Sequence, residues 1–158
     1  MDCGLIAGLP GITPRVGAAA MAMVTYKTEE QVAMMAFATG FSRLDISRCS
    51  RLPKVVEVMQ RIKFGGTDCS LPMRWALKSR VEADAFVVYT DSETWAGPVH
   101  PVEALRDYRE RMGIPAKLIV VGMVSNGFTI ADPDDAGMLD VVGFDSAAPQ
   151  VMSDFVSG

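Results

Sequence analysis

Histidine occurs once in this chain and cysteine three times. Cys3, Cys49 and Cys69 are odd in number and never spaced as Cys-x-x-Cys, so neither a disulfide framework nor a thiolate zinc site is indicated, and a reducing compartment is expected. No apolar run approaches the roughly 20 residues that span a bilayer. Met1-Asp2-Cys3-Gly4 also lacks the basic start of a secretory signal, so no membrane association is expected and a cytoplasmic location is. Excess positive charge is missing as well. A net charge of −4 repels phosphate backbones over most of a surface, so these residues are not expected to form the main platform for RNA or DNA. Neither a phosphate loop, nor a Gly-x-Gly-x-x-Gly fingerprint, nor a Gly-x-Ser-x-Gly elbow is present. Without a nucleophile and general base to set beside a carboxylate, the chain reads as a binding domain and not as an enzyme.

What is present is the material of one folded domain. The 158 residues are 49% hydrophobic and 22% charged, enough to bury a single core. Thr13-Pro14 is a helix start, a capping hydroxyl followed by a proline suited to the first turn, and small or apolar residues from Val16 to Val24 predict a buried helix over 14–26. Residues 31–39 and 41–46 read as strands about a turn at Gly40, paired antiparallel at an edge. Helical spacing of Val55, Val56, Val58, Met59 and Ile62 predicts a helix over 52–63, and a second follows over 71–80. Strand-then-helix alternation comes next: strand 85–90, helix 102–112, strand 117–122, strand 140–144, helix 147–155. That rhythm calls for an α/β fold with a doubly wound, mostly parallel sheet and one antiparallel edge strand. Such a sheet usually opens with a strand, whereas this chain opens with a loop and a helix. Residues 1–158 are therefore expected to be one domain truncated at its N-terminus, with the first central strand missing.

In open parallel sheets ligands bind beyond the carboxyl ends of the strands. Strand 85–90 runs into Asp91-Ser92-Glu93-Thr94-Trp95, and strand 117–122 runs into a polar loop holding Ser125, Asn126, Asp132, Asp134 and Asp135; the two loops are expected to share one face. Asp91, directly after a buried strand, is placed either to meet a cation or to cap a turn. Thr67 follows Gly65-Gly66 just ahead of a helix, where its hydroxyl serves as a cap or as a hard oxygen ligand, and Asp68 and Ser70 are equally available as caps. Hydroxyl and carboxylate oxygens suit Mg²⁺, Mn²⁺ or Ca²⁺ rather than zinc. His100, followed by Pro101, is expected at a helix entry, and Trp95 in packing or partner contact. Asp132-Pro133-Asp134-Asp135 reads as a solvated turn whose spacing fails the calcium-loop pattern.

Those residues carry a resemblance. Gly65-Gly66-Thr67-Asp68-Cys69-Ser70-Leu71-Pro72-Met73, Thr90-Asp91-Ser92-Glu93-Thr94, Ile114 to Val120 and Ser125 to Asp135 make the chain resemble, over nearly all its length, the von Willebrand factor type A domain at the carboxyl end of the Ro ribonucleoprotein autoantigen (TROVE domain) family. The resemblance implies a metal-ion-dependent adhesion site, in which an Asp-x-Ser-x-Ser motif, a threonine and an aspartate surround one Mg²⁺ or Mn²⁺ ion. Thr67 and Asp91 match the last two; the Asp-x-Ser-x-Ser motif is not in these residues, and Met1 matches the position immediately after it. Metal binding by this chain alone is accordingly expected to be weak or absent. A binding face around the ion would include Asp68, Glu93, Trp95, Ser125, Asn126 and Asp132 and would dock a protein partner. The resemblance further implies a parent that binds Y RNAs and misfolded noncoding RNAs through helical repeats absent here. A stand-alone type A domain serving protein contacts only is the alternative expectation.

Overall fold

The computed structural model describes residues 11–37, 40–62, 67–90, 97–124, 130–143 and 145–158. Thr13 does cap the first helix, α1 (Pro14–Thr28): its Oγ1 accepts the Val16 N–H at 3.4 Å, with Pro14 in the first turn. Two short strands follow, β1 (Met35–Phe37) and β2 (Phe41–Arg43), antiparallel with Met35 opposite Arg43. β1 begins four residues later than the expected 31–39, of which 38 and 39 lie outside the described residues, and β2 ends at Arg43, short of the expected 46. Among the described residues β1 is hydrogen-bonded on one side only, which leaves little to hold residues 31–34 extended.

Helices α2 (Leu52–Gln60) and α3 (Leu71–Ser79) each carry proline in their first turn. The strand β3 (Ala85–Thr90) comes next, then α4 (Pro101–Met112), β4 (Lys117–Gly122), β5 (Met138–Val142) and α5 (Ala148–Ser157). His100 is the helix-entry residue expected: its Nδ1 accepts the Val102 N–H at 3.2 Å at the start of α4. β5 begins two residues earlier than the expected 140–144. Asp140 sits inside the strand, because its carboxylate is used by the Ala131 N–H at 3.2 Å and so is tolerated there; residue 144 lies outside the described residues.

β3, β4 and β5 form a parallel sheet in that order, Ala85 facing Lys117 and Leu118 facing Met138 in register. β4 is central, and its side chains alternate between two cores. Leu118 and Val120 join Phe86 and Val88 under α3 and α4, with Met73, Leu105 and Tyr108. Ile119 and Val121 face the other way, packing with Met21 of α1 and Met152 of α5. A third cluster, Ala19, Met23 and Val55, joins α1 to α2. The result is helices on both faces of a parallel sheet, with the antiparallel β1–β2 pair as a separate small sheet, which is the α/β architecture expected.

Polar groups tie the layers at the amino edge of the sheet. The fully buried Tyr108 meets Phe86 edge to face with ring centroids 5.0 Å apart, and its hydroxyl donates to Val81 O (2.9 Å) and accepts from Ala83 N (2.8 Å). Lys117 Nζ donates to Phe155 O (2.6 Å) and Val156 O (3.2 Å), binding the carbonyl end of α5 to the start of β4. Tyr108→Phe strands a backbone donor and an acceptor without changing packing volume. It is expected to lower stability by about 1–3 kcal/mol, read as a lower urea midpoint at unchanged slope.

Candidate functional site

The α3 amino terminus and the segment after β3 meet at the carboxyl edge of the sheet. Chain direction requires this: α3 returns to the amino edge, where Val81 to Asp84 lead into β3, so its beginning lies at the opposite end. Asp68, only 9% exposed, organises that beginning. Its Oδ1 accepts from Ser70 N (3.0 Å) and Ser70 Oγ (2.6 Å), and its Oδ2 lies 3.5 Å from Arg74 Nη1. Asp68 thus holds Ser70, the residue at which α3 begins, while its backbone carbonyl accepts from Leu71 N at 3.2 Å. The Thr67 hydroxyl makes no hydrogen bond to any described residue, and its half-buried side chain lines an adjoining cleft. Of the two readings of Thr67, the cap is not made, and no described residue competes with a ligand for the hydroxyl.

Gly97, which sequence reasoning missed, fits against this turn. A β-carbon there would stand 2.5 Å from Asp68 Oδ1 and 2.6 Å from its Cγ, so the segment after β3 approaches the Asp68 carboxylate as only a glycine can. Nothing local in the sequence signals this, because the demand comes from a side chain on another loop. Asp91, Glu93, Trp95, Ser125 and Asn126 lie outside the described residues. The strands that lead to them end side by side, Thr90 opposite Gly122 with Met123 N donating to Thr90 O at 2.9 Å, so β3 and β4 end at the same edge.

Asp132 and Asp135 belong elsewhere. Asp132 pairs with Arg106 of α4 (2.8 Å) and accepts the Asp134 N–H (3.0 Å). Asp135 takes Arg109 Nη1 at 2.6 Å and Gly137 N at 2.9 Å, while Arg109 Nε donates to Ala116 O at 2.7 Å. Gly137 O in turn accepts from Leu118 N at 2.9 Å, which fixes this loop at the start of β4, not at the carboxyl edge. The expected solvated turn is present, with Pro133 and Asp134 exposed, and Asp132 and Asp135 in addition clamp it to α4; it does not join Thr67 and Asp68. Hydrogen bonding to Arg109, before all other influences, lowers the Asp135 pKa below its ordinary 3.8.

Beside Thr67 a cleft of about 1210 Å³ separates the two sheets. Met35 and Phe37 of β1 line one wall, Ala85, Val87 and Tyr89 of β3 the other, and Ala18, Ala22 and Thr25 of α1 roof it. Thr25 Oγ1 and Tyr89 Oη lie 3.2 Å apart across it, and burial raises the Tyr89 pKa. As a metal centre the described residues supply only a part: none of their His, Cys, Asp and Glu side chains form a group of three or more able to hold an ion, and Asp68 is committed to Ser70 and Arg74. Thr67 is the one described residue of the expected pair.

The chain is similar to known proteins in sequence and in fold. The family model described as the Ro60 vWA domain matches residues 1–156. A protein of Deinococcus radiodurans named RNA-binding protein RO60 is 50% identical over 158 residues, all of this chain and 30% of that protein. One of the same name from Caenorhabditis elegans is 43% identical over 145 residues, 91% of this chain and 23% of its own length. The crystal structure of the Deinococcus radiodurans RO (RSR) protein superposes with a TM-score of 0.90 at 50% identity, over 99% of this chain and 32% of that one. The chain thus spans less than a third of the length of these relatives.

Two outcomes follow from the geometry. Gly97→Ala forces a methyl group onto a carboxylate held by Ser70 and Arg74, and is expected to cost on the order of 1–3 kcal/mol in thermal or urea unfolding. Gly40→Ala, where an added β-carbon would meet nothing within 4 Å, is the control for placing a methyl group in a loop. Asp135 has a folded pKa below its unfolded one, so its contribution to stability is present above about pH 4 and is lost as pH falls through 3.8 and below. Asp135→Asn should therefore lower stability at pH 7 and flatten its acid decline, measured by urea midpoints from strongly acidic to neutral pH.

Proposed function

The chain belongs to the Ro60 von Willebrand factor type A family, and on that premise we propose that it is the docking domain of a Ro-like RNA-binding protein that works in Y RNA ribonucleoproteins and in noncoding RNA quality control. The observation that carries the reading is 50% identity along the whole chain to a protein named for RNA binding. Within such a protein these residues hold the contact surface and not the main RNA platform. Their net charge is −4, and the short acidic stretch at 132–135 is tied down by Arg106 and Arg109. The role is binding, with no chemistry on the partner, in the cytoplasm and away from membranes.

The docking face is the carboxyl edge of the sheet. Thr67, whose hydroxyl no described residue takes, and Asp91, placed just beyond β3, are the residues that would hold Mg²⁺ or Mn²⁺ there, completed by oxygen ligands from outside this chain. A divalent cation with an open coordination position attracts a carboxylate or phosphate oxygen, so an acidic group on a protein partner is the expected complement. Glu93, Trp95, Ser125 and Asn126 would frame that contact from the loops leaving the same edge.

Gel shifts test the division of labour. At near-physiological salt the full-length protein is expected to retard a Y RNA, and the 158-residue chain alone is not; tight, sequence-selective binding by the chain alone would move the RNA platform into these residues. Isothermal titration tests the metal. In the full-length protein Thr67→Ala and Asp91→Ala should each weaken Mn²⁺ affinity by about tenfold or more at unchanged circular dichroism, the scale seen when a metal site's supporting groups are removed. Equal affinity in both variants would take the two residues out of the site.

A further inference from the structure

We propose that the β2 end of the domain, around which α2 and α3 are gathered, is an auxiliary contact for the phosphate backbone of an RNA held by the full-length protein. The total charge of −4 conceals a division along the chain. Residues 41–80, which supply β2, α2 and α3, contain nine Lys or Arg and three Asp or Glu; residues 81–158, which supply the parallel sheet with α4 and α5, contain four and thirteen. The fold turns that division into geometry. α2 packs through Val55 against α1, with Ile46 from the segment after β2 in the same cluster, and Trp75 of α3 packs against Phe41 of β2 with ring centroids 5.4 Å apart. The basic segments are thereby held together at one end of the molecule.

Cations at the two ends are used differently. In α4, Arg106, Arg109 and Arg111 pair with Asp132, Asp135 and Asp107. Arg43, Arg51, Lys78 and Arg80 are exposed and make no ion pair with any described residue, while Lys54 and Arg61 share the one carboxylate of Glu57. Arg48 is fixed by neutral partners, its guanidinium 5.3 Å from the centre of the Tyr26 ring and donating to Glu30 O at 2.5 Å. Two of these placements work against the fold. Arg51 and Lys54 stand at the start of α2 with no acidic residue in its first turn, where the positive end of the helix dipole repels them. Arg80 closes α3 at φ 54°, in the left-handed region that glycine enters freely. Local choices that disfavour the chain's own stability point to a use outside it.

The chemistry of this surface selects its occupant. A protein interface is built on apolar anchors and a membrane contact on apolar insertion, but the exposed large apolar side chains among the described residues, Val24, Val81, Val142 and Val151, all lie outside 41–80. A phosphate backbone needs only spaced cations. Such contacts position an RNA without reading its sequence, and a few of them are too weak to retard RNA when the domain is alone. Joined to the rest of the protein, they act at high local concentration.

This inference rests on the RNA-binding reading of the full-length protein, and the test separates the two. The affinity of that protein for a fluorescent Y RNA is measured by anisotropy across a salt series. The triple variant Arg43→Gln, Arg51→Gln, Lys78→Gln, at unchanged circular dichroism, is expected to bind on the order of tenfold more weakly at near-physiological salt, with the slope of log affinity against log salt smaller by about 2. Arg43→Lys, Arg51→Lys and Lys78→Arg together keep the charge and should keep wild-type values. An unchanged slope and affinity in the Gln variant would overturn the proposal while the RNA reading stands, whereas no RNA binding by the wild-type protein would overturn both. Weaker binding of polyglutamate by the Gln variant, with RNA binding intact, would make the occupant an acidic protein and overturn the proposal as well.

Discussion

Every layer of this molecule is positioned by β4, the one described strand hydrogen-bonded on both sides. Its alternation sends Leu118 and Val120 to one core and Ile119 and Val121 to the other, so a slip of one residue in its register would exchange the two faces and empty both. What prevents the slip is gathered at the start of the strand. Arg109 binds Ala116 O, Gly137 O accepts from Leu118 N, and Lys117 holds the carbonyl end of α5. Apolar burial supplies most of the stabilisation, while these few polar contacts select the register in which that burial occurs.

Polar side chains divide the molecule into two ends with different duties. At the amino edge they are spent on internal contacts: Tyr108, Arg109, Asp135 and Lys117 all close on backbone or on one another. The carboxyl edge shows a different use. Asp68 is consumed there, at the first turn of α3, while its neighbour Thr67 lines the cleft with a hydroxyl that no described residue takes. The contrast follows the sheet's direction, since all strands of a parallel sheet end on the same side.

The sequence made some of this legible and hid the rest for identifiable reasons. β3 and β4 are continuous apolar runs between polar punctuation, and they fall at the residues expected, 85–90 and 117–122. β1 could not be read so well, because a strand's length depends on what pairs with it, and pairing is non-local. β5 was displaced by Asp140, a polar residue that resembles a boundary until its bond to Ala131 is seen. Thr13 and His100 were readable because capping positions have local signatures. Gly97 and the role of Asp135 were not, since each depends on a side chain that the fold brings from a distant part of the chain.

The grip of Lys117 on Phe155 O and Val156 O has a practical geometry. It pins the last turn of α5 to the beginning of β4, so Gly158 emerges at the end of the sheet opposite Thr67 and Asp68. A surface, bead or fluorophore attached at Gly158 therefore stands a full strand length away from the carboxyl edge of the sheet, on the order of 20 Å. Tethered in that orientation, the domain presents its open edge to whatever flows past it.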